Sequence, residues 1–121
     1  HGLPESEDDL PNHLFVGNDN PDGRAPFQKW LRSKVPYDRV VFRATDTYSM
    51  ITAVRSGAGI GFMPYEQGVA DPDLIEVMPP KEEWAAALWL VTHVDLHRTA
   101  KVQALLAHLK EAVKQLDTSF P

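Results

Sequence analysis

The sequence predicts an α/β domain: a central five-stranded mixed sheet flanked by helices, followed by a long C-terminal amphipathic helix. Three observations predict it. The apolar run Val40-Val41-Phe42 leads into a helix signature over Asp46 to Ser56, and that into a second apolar run, Ile60 to Met63. Short β-rich runs alternate with helical patterns over the first half of the chain, and two more runs follow. Near the end, Val102, Leu105, Leu106, Leu109, Val113 and Leu116 recur at helical spacing and form the stripe of an amphipathic helix.

The elements follow in order. Residues 1–12 are polar and punctuated by proline; Ser6-Glu7-Asp8-Asp9-Leu10 predicts a single helical turn capped by Ser6, with Asp9 reaching back. His13 to Gly17 is the first strand, and Asn18-Asp19-Asn20-Pro21-Asp22-Gly23 is a loop dense in turn formers. Pro26 suits the first position of a helix that runs to Lys34, with Phe27, Trp30 and Leu31 on one face. Pro36 ends it.

Val40 to Ala44 is the second strand. Asp46 reads as an N-cap, because its short carboxylate accepts from the orphan amides of a first helical turn. Met50, Ile51, Ala53 and Val54 share the apolar face of that helix, with Arg55 and Ser56 off it, and Gly57 stands where a helix ends in a left-handed residue. Ile60 to Met63 is the third strand, stopped by Pro64. Tyr65 to Val69 is compatible with a brief helix, and Asp71-Pro72-Asp73 is a turn. Leu74 to Val77 is the fourth strand, and Pro79 to Glu83 a surface loop. Ala87 to Thr92 is the fifth, rich in β formers and apolar enough to be central. The terminal helix runs from about Thr99 to Leu116 and is roughly 27 Å long at about 1.5 Å per residue. Trp89 is expected in the core and Trp84, in a proline-rich loop, at the surface; neither reads as an aromatic cage.

Composition bounds the function. With 121 residues, 43% of them hydrophobic, the chain is long enough for one domain with a core. A net charge of −5 argues against nucleic-acid binding by this chain, since a phosphate-binding surface needs clustered Lys and Arg. Zero cysteines exclude disulfides and thiolate metal sites and fit a cytoplasmic protein. No apolar run approaches the roughly 20 residues of a membrane span, and nothing resembles a signal peptide. The chain opens on His1 rather than Met, so a fragment or a processed product is expected.

Motifs that invite chemistry mostly have a plainer account. Gly57-Ala58-Gly59-Ile60-Gly61 resembles a nucleotide loop, but such a loop needs the order strand, glycines, helix. Here the glycines follow a helix, whose carboxyl end repels phosphate. Gly57 is a cap, and Gly59 and Gly61 permit close backbone packing. His93 and His97 flank Asp95, but a zinc site needs a third ligand, and a strand-to-helix connection with an Asp cap explains them better. There is no Gly-x-Ser-x-Gly elbow and no cysteine nucleophile, and paired acids such as Asp8/Asp9 and Glu82/Glu83 lie in exposed polar segments. No catalytic constellation and no metal or cofactor site is expected.

The stretch from Asp46 to Pro64, followed by Asp71-Pro72-Asp73-Leu74-Ile75-Glu76-Val77, resembles the effector-binding domain of the bacterial LysR-type transcriptional regulators. So does the run from Leu88 to Leu109, which looks like that family's last strand, return crossing and C-terminal helix. The opening segment from His1 to His13 is similar to the family's segment after its first crossing, so the likeness covers almost the whole chain in the family's order.

The resemblance implies a type 2 periplasmic-binding-protein-like fold of two lobes, with a small metabolite in the cleft between them. Residues 1–93 would be the second lobe, and residues 94–121 the crossing and the helix that belongs to the first lobe. DNA would be bound only through an N-terminal helix-turn-helix domain absent from this chain, and the protein would be a non-enzymatic homo-oligomer away from membranes. The family's cleft uses the start of the helix after the second-lobe strand, here Thr45, Asp46, Thr47, Tyr48 and Ser49; Pro64, Thr92 and His93 are further candidates. Hydroxyls of Thr47 and Ser49 and the first-turn amides suit an anion; if Asp46 caps the helix, however, its charge occupies that place. Two alternatives are a solute receptor of the same fold, marked by an export signal, and an autonomous small α/β interaction module.

Overall fold

The computed structural model describes residues 2–117, in two compact units, one running to Ala86 and the other starting at Ala87. The first unit opens with a 3-10 helix, Glu7–Asn12. Asp9 does reach back, but its Oδ2 accepts from the amide of Glu5 at 3.2 Å, and the Ser6 side chain makes no cap.

Strand β1 (Phe15–Asn18) pairs in parallel with β2 (Val40–Ala44), and helix α1 (Pro26–Lys34) crosses between them. Parallel neighbours need such a crossover, and the proline at its first position supplies the fixed φ that starts it. Helix α2 (Thr47–Arg55) follows β2 after two residues and ends on Gly57, whose φ of +85° is the left-handed conformation expected of a helix terminator. The chain then returns alongside β1. Ile60 donates to the Leu14 carbonyl at 2.9 Å and accepts from the Val16 amide at 2.8 Å, a single parallel bridge on the far side of β1 from β2. Gly59 is required there, since a Cβ on it would lie 2.8 Å from the Leu14 carbonyl oxygen. Pro64 then caps a short helix, α3 (Tyr65–Ala70).

Among the described residues the sheet therefore has two parallel strands and one bridge, not the expected five-stranded mixed sheet. Each missing strand has a physical reason. Beyond Ile60 the third run meets Pro64, which lacks a donor and restricts the residue before it. Leu74 to Val77 is framed by a turn in which the Asp73 amide donates to Asp71 Oδ1, and by Pro79-Pro80, which cannot contribute to a ladder. Ala87 to Thr92 has the right composition, but β propensity measures packing on neighbouring strands, and among the described residues no ladder partner meets this run. Trp89 is accordingly 79% exposed rather than part of a core.

The core of the first unit lies beneath the sheet: Leu10, Phe15, Trp30, Leu31 and Val35, with Val40, Ile60, Phe62, Met78 and Trp84 packed against it. Full burial of Leu10, Phe15, Leu31 and Val35 stabilises by roughly 1.5–3 kcal/mol each. Trp84 is half-buried, its ring edge-on to Trp30 and to Phe62 at 4.9 Å each. Glu7 holds Lys34 at 3.3 Å and also pairs with Lys81, tying the first helical turn to α1 and to the loop before Trp84.

The second unit is an irregular run leading into helix α4 (Ala100–Asp117). Val102, Leu106 and Leu109 are its better covered side, whereas Leu105 and Val113 are exposed; the side chain of Leu116 lies outside the described residues. No described helix is long and apolar enough to cross a membrane.

Candidate functional site

In a parallel sheet every strand-to-helix turn arrives at the same edge, and ligands of open α/β folds bind outside that carboxyl edge. Here β2 delivers Thr45 and Asp46 to it. Asp46 has the extended backbone of an N-cap, with φ −117° and ψ 151°. Its Oδ1 accepts from the Ser49 amide at 2.8 Å and its Oδ2 from the Ser49 hydroxyl at 2.8 Å. The amide bond first, and the hydroxyl second, hold the Asp46 carboxyl below the usual carboxylate range. The first turn of α2 is thus neutralised by the chain's own charge, while Thr45, Thr47 and Tyr48 stand exposed around it, Tyr48 by 85%.

A neighbour that the sequence reading passed over is the loop after β1. The Asp19 amide donates to the Ala44 carbonyl at 3.0 Å, which sets Asn18 to Asp22 beside Thr45. Asn18 and Asn20 each accept, through Oδ1, from the backbone amide two residues on, at 2.7 and 3.0 Å, and so fold the loop on itself. The run Asn18 to Gly23 reads simply as a turn from composition; the signal that places it at the edge is its position directly after a parallel strand.

The other candidates are dispersed. Pro64 is exposed at the start of α3, past Ile60 in the carboxyl direction and separated from β2 by β1. Thr92 and His93 belong to the second unit. There the Thr92 Oγ1 lies 2.8 Å from His97 Nδ1, and the Asp95 amide donates to His93 Nδ1 at 3.2 Å. Both imidazoles are thus held by local turn contacts, and Thr92, Val94, His97 and Arg98 line an open hollow. Among the described residues no group of three or more His, Cys, Asp or Glu side chains is placed to hold a metal ion.

A parallel β–α–β arrangement with a capped helix at the carboxyl edge of its strands defines the class of protein as an α/β domain, and in open α/β folds that edge is where ligands bind. The family within that class is shown by comparison. The model of the LysR substrate binding domain matches residues 1–114, and the chain belongs to that family. It is also similar to the "Probable HTH-type transcriptional regulator LtrA" of Klebsiella pneumoniae, 28% identical over 125 residues that take in 97% of this chain. The chain spans 40% of that regulator's length. No solved structure gives a significant match.

Proposed function

We propose that this chain forms one wall of the effector site of a LysR-type regulator, with residues 1–93 as the second lobe and residues 94–121 as the crossing and helix that complete the first. The wall is the front of α2, from Thr45 to Ser49, with Pro64 on the same edge; Thr92 and His93, in the second unit, are further candidate contacts. The observation that carries the reading is the doubly bonded Asp46–Ser49 pair at the carboxyl edge, ringed by exposed hydroxyls.

That pair also restricts the effector. An anion reaching this helix start meets a carboxylate already seated on its amides, so the group received here is a neutral hydroxyl or a cation. Thr45, Thr47 and Tyr48 supply hydroxyls that both donate and accept. A metabolite bridging the two lobes would favour the closed arrangement by its higher affinity for that state, and so bias how an N-terminal helix-turn-helix domain meets DNA. Such a regulator needs no catalytic group, and its oligomer would be symmetric.

Isothermal titration of the full regulator against neutral, cationic and anionic metabolites tests the proposal. We expect a neutral or cationic effector, with Thr47→Ala and Tyr48→Ala each weakening it about tenfold, the loss of roughly one hydrogen bond to a desolvated group. Unchanged affinity in both variants removes the site assignment; a purely anionic effector removes the charge argument.

A further inference from the structure

The two helices that start at the carboxyl edge are joined at their far ends. Arg55, in the last turn of α2, places its Nε 3.1 Å from Oδ2 of Asp71, the residue that ends α3. The tail of α3 therefore lies by the tail of α2, as the starts of both helices lie on one edge.

Asp71 is committed on both oxygens. Its Oδ1 accepts from the Asp73 amide at 3.0 Å, and its side chain is only 15% exposed. Arg55 is the freer partner, with a side chain 55% exposed, and it sits where the carboxyl end of a helix favours a cation. An exposed pair of this kind contributes modestly and is screened by salt, so it can set a pose without being needed for the fold.

α3 cannot place itself. None of its six residues is buried, and Val69 is 65% exposed. The amides of Gln67 and Gly68 both return to the Pro64 carbonyl, at 3.0 and 3.1 Å, so these backbone bonds are local. A helix this short is marginal in water on its own. Its position depends on ties to the rest of the unit, and the Arg55 pair is such a tie to α2.

We infer that Arg55 is a positioning residue of the effector wall: through Asp71 it fixes α3, and with it Pro64, relative to α2 with Thr47 and Tyr48. The consequence for binding rests on the effector-wall reading, whereas the strut itself does not.

The test uses the 121-residue chain without an effector. One readout is the distance between spin labels on Thr47→Cys and Glu66→Cys, exposed positions in a chain with no cysteine of its own. The other is amide hydrogen exchange in α3 against that in α2. The parent is expected to give one narrow distance distribution. Arg55→Ala broadens it and speeds exchange at Gln67 and Gly68 about two- to fivefold, while the α2 amides and the urea midpoint stay near those of the parent. Asp71→Asn keeps an acceptor for the Asp73 amide, drops the charge and acts in the same direction; the double variant adds nothing to Arg55→Ala. Arg55→Lys restores the narrow distribution, because the pair is made at Nε and a lysine amine reaches one atom further. Salt at about 1 M loosens the parent but leaves Arg55→Ala unchanged. An unbroadened distribution in Arg55→Ala, equal acceleration of α2 and α3, additive effects in the double variant, or no rescue by lysine overturns the inference. None of these outcomes involves an effector, so they stand apart from the Thr47→Ala and Tyr48→Ala titrations that decide the wall.

Discussion

Asp46 and Ser49 are joined twice, amide to Oδ1 and hydroxyl to Oδ2, both at 2.8 Å. One residue thereby starts α2, satisfies an orphan donor and places a fixed negative charge at the carboxyl edge. Asp46→Ala is expected to lower the urea midpoint of unfolding. Asp46→Asn keeps part of the stability, because asparagine keeps the cap's acceptor oxygen but loses the charge at the helix start. Ser49→Ala, which leaves the amide bond intact, falls between the parent and Asp46→Ala.

Acid should erase this contribution. The Asp46 carboxyl is lowered from its ordinary value of 3.8 in the folded chain, chiefly by the Ser49 amide. The unfolded state then binds the proton more readily, so the stabilisation is complete above the ordinary value and fades as pH falls through the folded one. Asp9 has the same sign, chiefly through Asn12. Urea midpoints of the parent and Asp46→Asn, measured from about pH 5 down to about pH 2, are expected to converge in acid. A constant gap contradicts the assignment.

The glycine run separates two effects. Gly59→Ala places a Cβ against the Leu14 carbonyl and forces apart the Leu14–Ile60 pair, at a cost of about 2 kcal/mol. Gly57→Ala meets no neighbour but must adopt a positive φ, at about 1 kcal/mol. Gly57→Asn should cost less than Gly57→Ala. Equilibrium denaturation ranks the three.

Trp84 carries a buried indole N–H with no hydrogen-bond partner among the described residues. Trp84→Phe removes that uncompensated donor while keeping an aromatic edge against Trp30 and Phe62, so it is expected to stay within about 1 kcal/mol of the parent. Trp84→Ala should cost about 3 kcal/mol, because the ring itself is lost from the cluster. Similar losses in both variants mean that the N–H is satisfied in solution.

The run before α4 leaves Leu88, Trp89, Val91 and Val94 each at least 79% exposed. An exposed apolar run without a ladder partner seeks one, so the 121-residue chain is expected to self-associate with rising concentration. Trp89→Glu together with Val91→Lys should restore the monomer. Size-exclusion chromatography with light scattering reads both; a parent that stays monomeric at high concentration refutes the expectation.

The helices were legible because their signals are local. Pro26 and Asp46 mark the starts of α1 and α2, and Gly57 terminates the second by its backbone freedom. The strands were less so. Leu74 to Val77 and Ala87 to Thr92 have strand composition, but a strand exists only where another chain segment offers its hydrogen bonds, which no short window records. Trp89 failed as a core residue for the same reason. At the candidate site, the cap and its charge could be read from Asp46 alone. The approach of Asp19 to Ala44 could not, because it depends on which strands become neighbours.

The single bridge between Phe15 and Ile60 also governs how the first unit is reached from the unfolded chain. α1 and α2 close on contacts a few residues apart, whereas Leu14 must wait for Ile60 across α1, β2 and α2. The entropy of closing that span comes due before its two hydrogen bonds return anything. Contact order therefore predicts that the β1–β2 pairing and the Leu14–Ile60 bridge form after the local turns of α1 and α2, an order that φ-values at Val16, Ile60 and Ala53 would read.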